Sequence, residues 1–137
     1  MRLIIQVSIL FCLLLLSATI VSNRVDAEDH FSVKEYNQFH DVLHPLEHEA
    51  LPKKDFQRIR TNAAELVKRG KAIVQVGLPS GTPAQHHEEF RKELKKFAGA
   101  LGEFEKHAQE GTDAQLEASF SAVHDSFEML VGMLPRK

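Results

Sequence analysis

Cysteine is nearly missing from this chain: its single copy, Cys12, lies within the apolar run "LIIQVSILFCLLLLSATIV" near the start. Residues 28–137 contain none, which excludes an internal disulfide, a thiolate metal site and a cysteine nucleophile in that part. Tryptophan is absent throughout. No glycine-rich phosphate loop follows a strand pattern, and no Gly-x-Ser-x-Gly turn occurs, so the common nucleotide-binding and serine-hydrolase arrangements are not expected. A basic surplus is lacking as well, with 17 Lys and Arg against 19 Asp and Glu. Nucleic acid is therefore not an expected partner, since phosphate binding requires a cationic surface. Apolar and polar residues do not alternate with period two anywhere beyond the first 27 residues, so strands are not expected either.

What is present at the N-terminus is a basic residue, Arg2, then the long apolar run, then Val25-Asp26-Ala27. Small or short-branched residues at the last and third-last positions suit signal cleavage after Ala27. Residues 1–27 are thus expected to be a signal peptide, and 28–137 one small exported domain, periplasmic or secreted, with retention as a membrane anchor the alternative reading. After cleavage a membrane association is not expected. An exported domain of this size without disulfides must draw its stability from packing or from a bound ligand. All eight histidines fall in the exported part. Histidine is the one excess in the composition.

Four segments carry apolar residues at steps of three and four, the spacing of a helix buried along one stripe. The stripes are Tyr36, Phe39, Leu43, Leu46 and Ala50; then Phe56, Ile59, Ala63, Leu66 and Ile73; then Phe90, Leu94, Phe97, Leu101 and Phe104; then Leu116, Phe120, Val123, Phe127, Leu130 and Leu134. Ser32 with Glu35, Thr82 with Gln85 and Thr112 with Gln115 have the spacing of reciprocal capping boxes at helix starts. Gly77 with Pro79, Gly111 and Pro135 provide stops. The spacing predicts helices near 32–50, 53–76, 83–110 and 113–134. Short connections make neighbours antiparallel, giving an all-α, up-down-up-down four-helix bundle. Pro45 removes an amide from the first helix and predicts a bend or restart there.

His40 and His44 stand four apart on one helix face, a spacing that lets two imidazoles chelate one ion. Both flank the buried stripe, as His124 flanks the stripe of the fourth helix. In an antiparallel first and fourth helix, His124 falls opposite about residue 41, to within roughly a turn. His40, His44 and His124 are therefore the expected ligands of a transition-metal ion, with Glu47, His48 or Glu128 as candidates for a fourth position. Zinc, copper and nickel all suit such a set. His48 is expected to be rotated roughly 40° further round the helix, beyond Pro45. His30 lies in the N-terminal tail, and His86, His87 and His107 at the two ends of the third helix are expected to be solvated. The basic run "FRKELKKF" over 90–97 reads as a solvated outer face, with a membrane surface or partner as the sharper alternative, and Glu88 and Glu89 read as surface charges at a helix start. No cleft with a general base is visible, so an enzyme is not expected.

The stretch "FSAVHDSFEML" over 120–130 resembles the haem-attachment segment of the periplasmic four-helix cytochromes of the cytochrome c prime type. The similarity extends over the exported domain in length and helix order. On that alignment His124 takes the place of the axial histidine, while Phe120 and Val123 replace the two cysteines, so covalent haem is excluded. The resemblance implies, as an alternative to the metal ion, a non-covalent haem b held by His124 and a first-helix histidine such as His40. A cofactor-free structural or interaction bundle is the third reading, and a homodimer is open to each of them.

Overall fold

The computed structural model describes residues 31–137. The expected signal peptide, and His30 with it, lies outside the described residues. Among these residues the chain is all-helical: α1 (Lys34–Pro45) running into a π-helical turn (Leu46–Ala50), α2 (Phe56–Val76), a 3-10 turn (Ala84–His86), α3 (His87–Glu110) and α4 (Asp113–Val131). No described helix is long and apolar enough to cross a membrane.

The stripes read from the sequence form the core. Tyr36, Phe39, Leu43, Leu46 and Ala50 are buried, as are Ile59, Ala63, Leu66 and Ile73, Phe90, Phe97, Leu101 and Phe104, and Leu116, Phe120, Val123, Phe127 and Leu130. Phe56, Leu94 and Leu134 pack against this core from its edge. Each helix packs closely on the next in sequence, α1 on α2, α2 on α3 and α3 on α4. The first and fourth helices meet through aromatic side chains, because Phe127 lies against Phe31, Tyr36, Phe39 and His40 at ring separations of 5.9, 5.9, 4.8 and 6.3 Å. These rings supply much of the stabilising apolar burial, aided by edge-to-face and offset contacts.

The helix ends differ from the capping pattern in instructive ways. At Thr112 the reciprocal box forms, with Gln115 N donating to Thr112 Oγ1 at 3.2 Å and Thr112 N donating to Gln115 Oε1 at 2.9 Å. At Ser32 it does not, because the Ser32 hydroxyl instead donates to the Pro135 carbonyl at 2.6 Å and ties the two ends of the domain together. The helix then starts at Lys34 with no side-chain cap on Val33. Thr82 is likewise diverted: its hydroxyl donates to the Pro79 carbonyl at 2.8 Å, and α3 begins only at His87 after the 3-10 turn. The second helix starts at Phe56 rather than 53, where Asp55 accepts from the Arg58 amide at 3.0 Å.

Arg60 of α2 closes the α3–α4 corner. Its guanidinium donates to the carbonyls of His107 and Ala108 at 2.9 and 3.0 Å, to Gly111 at 2.9 Å and to Asp113 Oδ1 at 3.0 Å. A cation at a helix C-terminus satisfies carbonyls that have no partner within the helix and opposes the negative end of the helix dipole. Gly70 has a different task. A Cβ there would sit 2.6 Å from both Leu101 methyls, so its absence is what lets α3 place Leu101 against α2.

Candidate functional site

The histidines that the structure brings together are His40, His44 and His48. Their rings form a row along one edge of the first helix, with centroids 5.2 Å apart between His40 and His44 and 4.4 Å apart between His44 and His48. His44 and His48 are exposed, and His40 is half-buried. A hollow of about 220 Å³ lined by His40, Asp41, His44 and Pro45 opens beside them.

The ring of His48 lies closer to His44 than the roughly 40° of further rotation expected from α winding would suggest. After Pro45 the backbone shifts from i→i+4 to i→i+5 hydrogen bonding, seen in Leu51 N donating to Leu46 O at 2.9 Å. Such a turn holds one more residue than an α turn, so each residue advances less round the axis. The steps beyond Leu46 therefore take back part of the overshoot that four α residues would give. His48 consequently lies beneath His44, and the expected bend at Pro45 is taken up as a change of winding.

His40 is anchored differently from its neighbours. Its ring meets Phe31 edge-on at 5.5 Å and stacks over Phe127 at 6.3 Å, so one side belongs to the aromatic layer between α1 and α4. On α4 the half-buried His124 has Nδ1 3.4 Å from Asp125 Oδ1. The ring contacts among the described residues join His40 to His44 and His44 to His48, leaving His124 apart. Glu47 is partly buried and turns one carboxylate oxygen inward, where it has no hydrogen-bond partner among the described residues. Glu128 is exposed on α4. Among the described residues no three His, Cys, Asp or Glu side chains come together as a metal-holding group. What the row offers is pairs of imidazoles, not a closed cage.

The remaining histidines are more engaged than their positions in the sequence suggest. His87 Nε2 lies 2.8 Å from the Thr82 carbonyl and secures the loop before α3. His107 has a buried Nδ1 without a hydrogen-bond partner among the described residues and Nε2 3.9 Å from Glu103 Oε2, while its backbone carbonyl accepts from Arg60. Sequence reading passed over Arg60 altogether, since nothing local to "DFQRIRTN" signals that a guanidinium reaches a corner some fifty positions downstream. The i→i+5 turn had a visible signal, Pro45, although its winding did not.

A haem b between α1 and α4 fits these residues poorly. Phe39, Phe97, Phe104, Phe120 and Phe127 are fully buried, with Phe39 against both Phe97 and Phe127 and Phe104 against Phe120. A porphyrin there would have to displace these rings from their mutual contacts. No protein-family model, no curated protein and no solved structure matches the chain.

Proposed function

We propose that this chain is an exported, antiparallel up-down-up-down four-helix bundle that carries a transition-metal ion on the exposed edge of its first helix. Its work is to sequester, deliver or sense the ion rather than to transform a substrate. The observation that carries this reading is the His44–His48 pair, two exposed imidazoles at 4.4 Å between centroids with His40 adjoining. Imidazole is a borderline ligand suited to zinc, copper and nickel. With two protein ligands the ion completes its shell from water or an incoming donor, and an open shell of that kind favours exchange over permanent structural binding. The filled aromatic core speaks against the haem alternative. The up-down course is supported by the close packing of successive helices and by their short connections.

This ligand set differs from the triad of His40, His44 and His124, and the two are separable by substitution. Isothermal titration of the purified domain with zinc, copper and nickel should give saturable binding that His44→Ala abolishes and His124→Ala leaves in place. Equal loss in both variants would restore the triad. An absence of saturable binding to wild type for all three metals would leave the cofactor-free bundle as the reading.

A further inference from the structure

We infer that the π turn selects His44 with His48, rather than His40 with His44, as the chelating pair; this rests on the metal-binding reading above. The two pairs have identical spacing in sequence, so an unbroken α-helix would present them as equivalent steps of one ladder. They are not equivalent here. The rings of His40 and His44 are 5.2 Å apart and inclined at 58°, whereas those of His44 and His48 are 4.4 Å apart and inclined at 48°. The difference coincides with the change of winding at Leu46–Ala50, where the Leu51 amide reaches back five residues to Leu46.

A second observation points the same way. His40 is packed on Phe31 and Phe127, and swinging it toward an ion at His44 gives up those ring contacts. His44 and His48 are exposed, and among the described residues their ring contacts are with the row itself. His44 belongs to both pairs, so the row takes one ion at a time, and the π turn places it at the far side from the aromatic layer. Within this account Leu46, Glu49 and Ala50 are positioning residues of the π turn around His48: they touch no ion, and they decide which imidazole pairs with His44.

The test compares His40→Ala with His48→Ala in two backbones under zinc titration. In the wild-type backbone His48→Ala should weaken binding by about tenfold or more, because a lost ligand costs at least as much as a lost outer-shell partner, and His40→Ala should change it far less. Deleting Glu49 removes the extra residue of the π turn and returns the segment to α winding. In that backbone the two substitutions should become comparable, while the melting temperature stays level or rises. A purely structural role for the turn would lower both stability and affinity and leave the ranking as it was. Glu49→Ala is the control, since Glu49 also pairs with Arg58 at 2.9 Å. Should the deletion prevent folding, Pro45→Ala makes the same comparison by restoring an amide that can bond to the Asp41 carbonyl. If His48 outranks His40 equally in every backbone, the inference is overturned and metal binding stands; if wild type takes up no zinc, the reading beneath it fails.

Discussion

Gly70→Ala, Gly99→Ala and Gly102→Ala are one chemical change made at three helical positions, and the packing requires them to differ in sign. Alanine in place of glycine inside a helix is worth about 0.5–1 kcal/mol through reduced backbone freedom in the unfolded chain. At Gly99 and Gly102 a new Cβ meets nothing within 4 Å, so that gain is unopposed. Each should stabilise the domain by about 0.5–1 kcal/mol. At Gly70 the same methyl arrives 2.6 Å from both terminal carbons of Leu101, which is only 2 % exposed and must leave its present rotamer to make way. Overpacking of a core typically costs about 1–3 kcal/mol, which exceeds the propensity gain and makes Gly70→Ala destabilising on balance. Urea denaturation reads all three, with the slope unchanged and the midpoint moving up for positions 99 and 102 and down for position 70. The cycle with Leu101→Val sharpens the test: shortening Leu101 should lessen the cost of Gly70→Ala, giving a coupling between two residues in contact. If Gly70→Ala stabilises as much as the other two, the close approach of α2 and α3 argued from Leu101 is wrong.

Tyr36→Phe should be neutral or stabilising by up to about 1–2 kcal/mol, measured by thermal or urea unfolding, because the Tyr36 hydroxyl is buried without a hydrogen-bond partner among the described residues; a clear loss of stability would mean that the hydroxyl is satisfied in solution. Burial also raises the Tyr36 pKa above its ordinary value, so stability is intact below about pH 10 and declines above it, as the unfolded chain releases the proton first. Unfolding measured between pH 9 and 11, a window set about the ordinary tyrosine pKa, should show that alkaline decline weakened in Tyr36→Phe. Arg60→Ala should cost about 2–3 kcal/mol by removing charge-assisted hydrogen bonds from the α3–α4 corner, and Arg60→Lys should recover little, since an ammonium cannot reproduce the planar fork. Hydrogen exchange at the amides of 107–112 would locate the loss.

The apolar stripes were legible because each rests on a period that the sequence displays directly. Every helix they predicted exists, and most stripe residues are buried, with Phe56, Leu94 and Leu134 at the edge and Val67 and Met133 added to the core. Helix starts were less legible, for a physical reason: Ser32 and Thr82 had distant or turn-closing acceptors, Pro135 and Pro79, that compete with the local amides for the same hydroxyl. Only Thr112, with no such competitor, capped its own helix on both sides of the box. The histidine row was half legible. His40 and His44 follow from spacing, but His48 joins them only through a change of winding that residue identities at 46–50 do not announce. The packing of His40 on Phe31 and Phe127 depends on how α1 and α4 approach, which is a tertiary fact.

Ring-nitrogen spectra of the histidines under zinc titration test the central claim most directly, because each imidazole reports separately whether it gives its lone pair to the ion. The account predicts that the resonances of His44 and His48 move together and saturate, that His40 moves less, and that His124 keeps its position. Resonances that do not move at any of these rings, or a response at His124 with His48 silent, would contradict it.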